Sequence, residues 1–430
     1  MVETLLSSGL AVFHVPTAFP PTTAIGILIP RGHLHDPRSK EGLHALLSGV
    51  LLKAGAGLGP EALQSALDRM GALMEASSDM EYTLLSMEVL ESHTEEALAL
   101  LFHVFDEAVI PSKEFRFARR GMKASLRMSF TDPDYVTEAH LFALAFGPGH
   151  PLGRPLTPAG LNGIGMRDLQ KALPVLNSVP RCCAFVVTPT PRATIHPLLA
   201  RAAHLWRVTQ DPPPACPGMR SSPAVRVRLI PRKAMTQVCF QALLPVPARP
   251  AAEYLPLRLS FYSFVEGGFS ARLMRRLRVE IGSTYGISGQ YKALRDFGYL
   301  HLSAMINRAQ AVRARALILE EYERWRVSGP TQEELEEARS HSLKAFPMIQ
   351  DNPLEVGSLL LKNHLHGLPS DFVDTYSERL RAVTMDDVMR AHRALPAEIP
   401  VWAAAGVIST LRDCFSGLSD IEEQGWNDPA

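Results

Sequence analysis

Apolar positions recur along this chain at two different periods, and the switch between them marks out the elements. Within GLHALLSGV (42–50), Leu43, Leu46, Leu47 and Val50 fall at i, i+3, i+4 and i+7, the spacing of a single buried helical stripe. That spacing predicts helices at 41–54, 60–70 and 93–108, and again at 253–265, 270–281, 310–328 and 331–345. The period of two expected of strands runs through DMEYTLLSMEVL (79–90) and FGYLHLSAMI (297–306). LAVFHVP (10–16) with TAIGILIPRG (23–32), and RVRLIPR (226–232) with TQVCFQALLPVP (236–247), read as two strand pairs. Strand pairs followed by helix runs predict α+β domains, each a mostly antiparallel sheet with helices packed on one face. The first helix poses a question of its own. Opposite its apolar stripe, Ala45, Ser48 and Gly49 form a second i, i+3, i+4 row, and a mid-helix Gly costs about 1 kcal/mol against Ala.

The pattern is written twice. MRDLQKA (166–172) matches MDDVMRA (385–391) with Met, Asp and Ala in register, at an offset of roughly 220 residues. IPSKEFRFARRGMKA (110–124) pairs in the same way with GPTQEELEEARSHSLKA (329–345). Both begin with Pro, Ser or Thr, and an acid three residues after the Pro, a helix-start signature. Between the copies, QDPPPACPGMRSSPA (210–224) is rich in Pro, Gly and Ser without periodicity and reads as an exposed linker. The expected domains are therefore 1–209 and 225–430.

Composition narrows the function class. A chain of 430 residues exceeds one ordinary core, and 46% apolar content supports well-packed domains. With 44 basic and 44 acidic residues the net charge is zero, so no nucleic-acid or anionic-membrane partner is expected. No apolar run reaches about 18 residues and no signal-peptide pattern opens the sequence, which predicts no membrane span and a cytoplasmic location. The five cysteines form no CxxC pair and read as reduced thiols.

Four stretches together carry a family resemblance. IPRGHLHDPRSKEGLHALLSGVLLKAG (29–55), GALMEASSDMEYT (71–83), GPGHPLGRPL (147–156) and EGGFSARLMRRLRVEIGSTYGISGQY (266–291) resemble, in order and spacing, segments of the insulinase/pitrilysin-type zinc peptidases. The branch they are most similar to is the two-domain one that includes mitochondrial processing peptidase and its bacterial relatives. The resemblance implies two homologous domains forming a half-shell.

In that family an inverted motif, H-x-x-E-H, supplies two zinc-binding His residues and a Glu acting as general base. The matching positions are Ala45 and Gly49 for the two His, and Ser48 for the Glu. By the same resemblance the third ligand falls on Ser125, with Ala118 at an earlier acid. The small row is thus a metal-site face whose ligands have been replaced, and this chain is expected to bind no zinc itself. Two other His pairs, His33 with His35 and His364 with His366, have no nearby acid or Cys to complete a metal set and read as surface or turn residues.

The second half keeps its family residues. Arg278 and Tyr285 match an Arg and a Tyr that in relatives hold the peptide and stabilise the developing oxyanion. Guanidinium and phenol both donate to a carbonyl gaining charge. Without the resemblance they would read as a solvated helix-end Arg and a core-edge Tyr. Arg272, Arg275 and Arg276 share the helix and read as its surface face. EGGFSARL lacks the spacing of a phosphate-binding loop. The resemblance implies a non-catalytic, substrate-binding subunit, inactive alone, paired with a homologous zinc-bearing subunit and acting on peptides. A structural or peptide-binding scaffold with no proteolytic role is the alternative.

Overall fold

Most of the predicted stripes fold as helices. In the computed structural model, which describes residues 1–17, 21–54, 59–104, 110–211, 215–220, 224–282 and 286–427, the first half carries α1 (Leu43–Ala54), α2 (Pro60–Met70), α3 (Thr94–His103), α4 (Ser112–Ser129) and α5 (Pro133–Phe146). The second carries α6 (Tyr254–Phe261), α7 (Arg272–Ile281), α8 (Ala311–Ser328), α9 (Gln332–Gln350) and α10 (Pro353–Leu365), besides shorter helices in both. Among the described residues no helix is long and apolar enough to cross a membrane.

The chain divides into two compact units. The first comprises Met1–Leu126, Leu156–Ala215 and Phe346–Asp374; the second comprises Arg127–Pro155, Cys216–Ala345 and Thr375–Ala430. The strands respect the expected boundary at 210–224, but α5 belongs to the second unit and α10 to the first. The described part of the linker is tied down more than its composition suggests. Cys216 N donates to Asp296 Oδ2 at 2.8 Å, and Pro217 O accepts from His150 Nε2 at 2.8 Å.

The first unit holds a six-stranded sheet made of β1 (Val2–Leu5), β2 (Ala11–Pro16), β3 (Thr22–Ile29), β4 (Leu73–Ser78), β5 (Thr83–Leu90) and β6 (Cys183–Thr188). Its order is β1-β2-β6-β3-β5-β4, antiparallel except where β6 runs parallel to β2. On β5 the predicted alternation is realised, with Thr83, Leu85, Met87 and Val89 buried. The expected pairing of β2 with β3 is not formed, because β6 lies between them. All six residues of β6 are buried, so it belongs mid-sheet, where both of its edges find backbone partners. On one face α10 packs against β3 and β6. The contact is close: a Cβ on Gly357 of α10 would stand 2.2 Å from the Phe185 ring, and one on Gly26 of β3 would stand 2.3 Å from it. Gly26 is the cross-strand partner of Phe185, so the ring fills the space that two glycines leave.

The second unit repeats the plan with β7 (Val227–Pro231), β8 (Gln237–Val246), β9 (Ile287–Ala293), β10 (Gly298–Asn307), β11 (Val401–Gly406) and β12 (Ile421–Glu423), in the order β12-β7-β11-β8-β10-β9. Here too the late, wholly buried strand β11 separates the pair expected from sequence, running parallel to β7 and antiparallel to β8. One face of β8, through Val238, Phe240, Ala242 and Leu244, joins a core with Phe261, Phe264, Trp325 and Phe415. Against the same strand and β11 packs α5.

The exchanged helices are copies of each other. Each opens with a side-chain cap followed by Pro: Asp132 accepts from Asp134 N at 3.0 Å, and Asn352 accepts from Leu354 N at 3.1 Å and Glu355 N at 3.2 Å. They stand at the same offset of roughly 220 residues as the other repeated segments. Each half of the duplicated chain therefore gives this helix to the unit that holds the other half's sheet.

Candidate functional site

The apolar stripe of α1 is buried throughout, with Leu43, Leu46, Leu47, Val50 and Leu51 all 5% exposed or less. A buried carboxylate organises its first turn. Asp36 accepts from Gly42 N at 2.7 Å and from His44 N at 3.0 Å, and bonds His44 Nδ1 at 2.7 Å. His44 is thereby satisfied as a structural residue. His33 and His35 lie in a single 3-10 turn, where Gly32 N donates to His35 Nδ1 at 3.2 Å.

The small row lies on the side of α1 away from that stripe. Ala45 is half-buried, Ser48 is buried, and Gly49 is exposed, with nothing within 4 Å of where its Cβ would be. Ser48 Oγ donates to Ala45 O at 2.9 Å. Ser125 on α4 is exposed, and Ala118, two turns earlier on the same face, is half-buried. These residues do not fit a zinc ion: Ala45, Gly49 and Ala118 carry no side-chain donor atom, and none of the five is an imidazole, thiol or carboxylate. Among the described residues no three His, Cys, Asp or Glu side chains gather into a metal-binding group elsewhere. In the same unit α1 packs against β4, the edge strand of the sheet.

In the second unit α7 is held by ion pairs. Arg272 is 8% exposed and forks onto Glu334. Arg276 reaches Glu280 at 2.7 Å, Glu320 at 3.2 Å and the buried Glu321 at 3.2 Å. The Glu280 hydrogen bond, the largest influence, holds the Arg276 guanidinium above its ordinary pKa. This corrects the reading of Arg272, Arg275 and Arg276 as one solvated face: only Arg275 is exposed, and the other two lock the helix in place. The helix stops where expected, at Gly282 in the left-handed region (φ 61°), whose N–H bonds Arg278 O at 3.1 Å.

Arg278 differs from its neighbours. It is exposed, forms no ion pair among the described residues, and lies 5.0 Å from the ring of the exposed Phe269. Among the described residues no acceptor takes its side-chain donors. Tyr285 lies outside the described residues. Just beyond it starts β9, the edge strand of the second sheet.

The reading of His364 and His366 as surface or turn residues is corrected by their burial, and the buried polar group around Gln241 was not anticipated from sequence. In the first unit His366 Nε2 bonds Glu81 Oε2 at 2.7 Å, and its neighbour His364 stands edge-on to Phe13 at 5.4 Å. In the second, Gln241 Nε2 donates to Asp134 at the start of α5, and His301 donates to Gln241 Oε1 at 3.0 Å. A polar residue inside an otherwise apolar strand, as at Gln241, is the one signal the sequence offers.

These burials give a pH dependence. Burial pushes His301 down to about 4 against the opposing pull of Asp134, and pushes His364 down to about 4 with Arg181 adding to the effect. Both imidazoles are neutral when folded but take up protons below 6.5 when unfolded. The unfolded chain then binds more protons, so their contribution to stability is complete above pH 6.5 and is lost as pH falls toward 4. Urea midpoints measured across that interval are expected to drop, and His301→Gln, which keeps a donor but cannot titrate, is expected to flatten the fall.

Comparison with known proteins agrees with this geometry. The model for insulinase, peptidase family M16, matches residues 13–159, and that for the peptidase M16 inactive domain matches 168–341. YmxG of Bacillus subtilis (strain 168), described as an uncharacterized zinc protease, is 21% identical over 382 residues, covering 88% of this chain and 91% of its own length. A peptidase M16 inactive domain from Pseudomonas fluorescens superposes with a TM-score of 0.83 at 18% identity, over 94% of this chain and 97% of that one. A chain of Complex III2 from Candida albicans does so with a TM-score of 0.76 at 15% identity, over 98% of this chain and 100% of that one.

Proposed function

Because this chain belongs to the insulinase (M16) peptidase family, we propose that it is the non-catalytic, substrate-binding subunit of a two-chain zinc peptidase. The observation that carries the reading is an asymmetry. By the resemblance the ligand positions fall on Ala45, Gly49 and Ser125, the general base on Ser48 and the earlier acid on Ala118, all without the family's side chains, whereas Arg278 of the second half stands exposed with no ion pair among the described residues. Loss confined to one half is what division of labour leaves behind.

In this reading a homologous partner carries H-x-x-E-H and holds the zinc, and this chain binds none. Arg278 and Tyr285 donate hydrogen bonds to the peptide and to the carbonyl oxygen that gains charge during attack. The edge strands β4 and β9 offer unpaired backbone groups along which an extended peptide adds as a further strand. The pair works in the cytoplasm, and this chain is inactive alone. A second reading, a structural or peptide-binding scaffold without proteolytic function, draws on the likeness to a chain of Complex III2.

The test is purification of the native complex from the source organism with metal analysis of each chain. A stable hetero-oligomer with zinc in the partner and less than one zinc per copy of this chain is expected, with an interface on the order of 2,000 Å² or more. Recovery of free monomer alone, or a tight zinc in this chain, sinks the proposal.

A further inference from the structure

A second candidate site lies within the second unit, along one side of α8, where a cavity of about 580 Å³ is bordered by Arg226, Arg315, Arg326, Glu323, Glu398 and Trp402. Two of its three guanidinium groups are neutralised. Arg226 pairs with Asp420 and with Glu398 at 3.0 Å, and Arg326 forks onto Glu323 at 2.9 and 2.8 Å. The third is not. Among the described residues Arg315 meets no carboxylate: its Nη1 donates to Cys414 O at 3.0 Å, and its Nε is buried with no acceptor.

Its surroundings are aromatic instead, with the guanidinium carbon 4.3 Å from the Phe415 ring centre and 5.7 Å from that of Trp402. Ring faces attract a cation, but they leave its planar N–H groups without oxygen partners. Burial accordingly draws the Arg315 pKa below its ordinary value, against the opposing pull of the Cys414 thiol. A half-buried cation with an orphaned N–H and no anion beside it is a costly arrangement for a fold to keep, and such groups beside a cavity mark binding sites. The cavity volume lies within the range of small-molecule pockets.

We propose that this cavity binds a monocarboxylate with an apolar or aromatic body, its carboxylate on Arg315 and its body against Trp402. The charge count selects the class. One guanidinium is free and therefore matches one negative charge, while Arg226 and Arg326, already committed to Glu398, Asp420 and Glu323, leave no positive charge for the second one of a phosphate or a dicarboxylate. Two sources share this chemistry, a free aromatic acid and the C-terminal residue of a peptide. The proposal does not depend on a zinc-bearing partner.

Ligand-observed saturation-transfer NMR and calorimetry on the full chain test it with four probes: 3-phenylpropionate, its amide, Gly-Gly-Phe, and the same peptide amidated at its C-terminus. At least one acid is expected to saturate, binding about tenfold or more tighter than its amide, as loss of a charged hydrogen-bond acceptor implies. Saturation by the peptide alone identifies a C-terminal residue as the ligand, and saturation by the free acid alone identifies a small molecule. Arg315→Met, which keeps the stem against Phe415, is expected to abolish the preference for acid over amide. Leu319 also lines the cavity, and Leu319→Trp leaves Arg315 in place while filling it; binding is expected to be lost, with the thermal midpoint checking that the chain still folds. Equal affinity for acid and amide, no saturation by either acid, or unchanged binding in Leu319→Trp overturns the proposal.

Discussion

Peptide turnover by the complex of this chain with a zinc-bearing homologue is expected to fall about 10²–10³-fold when Tyr285 becomes Phe, and by a similar factor when Arg278 becomes Ala. That range corresponds to roughly 3–4 kcal/mol of transition-state stabilisation from one donor. The Tyr→Phe change is the sharper of the two, since it keeps the ring and removes only the hydroxyl. Arg278→Ala is clean for another reason: the residue is exposed and takes no part in the Arg272 and Arg276 pairs that hold α7. Both variants should assemble normally and leave the partner's zinc content unchanged, which sizing and metal analysis would check. The part of the loss that comes from charge developing during reaction should fall on kcat and kcat/KM together, and the part that comes from peptide binding on KM. Wild-type turnover in both variants would reduce the pair to structure and favour the scaffold reading.

The largest expected loss of stability is at Phe185. It is fully buried, and its ring occupies the space above Gly26 and against Gly357. Phe185→Ala should lower the stability of the first unit by about 3–5 kcal/mol, because neither glycine has a side chain that can relax into the cavity. Gly357→Ala should also destabilise, by about 1–3 kcal/mol, since its new methyl group would press into the ring. Hydrogen exchange read on peptides from β6 and α10 measures both effects locally, without assuming that the two units unfold together. As a reference, Phe117→Ala, at a side chain 65% exposed, should stay within about 0.5 kcal/mol of the parent. Unchanged exchange in β6 and α10 after Phe185→Ala would contradict this account of the packing.

The parts of the fold that were legible in sequence are those with one wet face. The stripe of α1 and the alternation of β5 announce themselves because polar residues mark the other side. Helices α5 and α10 went unread because they bury residues on several sides, polar ones such as Thr137, His140 and Asn363 among them, so no apolar stripe stands against a polar face. For the same reason the central strands β6 and β11 gave no sign that they separate neighbours in sequence. At the site, the positions on α1 and the end of α7 followed from local spacing. The locking of Arg272 and Arg276 did not, because Glu321 and Glu334 lie far along the chain and ordinary charge patterning does not connect them. Arg315 was equally silent, since its distinction is an absence of partners in three dimensions.

The exchange of α5 and α10 also bears on the order in which the protein can be completed during synthesis. Strands β1 to β6 have all emerged once residue 188 is made, yet the helix that covers β3 and β6 ends only at Leu365. Until then Phe185 and its neighbours lack their cover, and α5 waits for β8 and β11, the latter beginning only at Val401. Neither unit can therefore close early, as the first domain of a tandem chain ordinarily does. The nascent chain must be shielded over most of its length, and a fragment ending at the central linker would be an aggregation-prone product with an open sheet and an orphan helix.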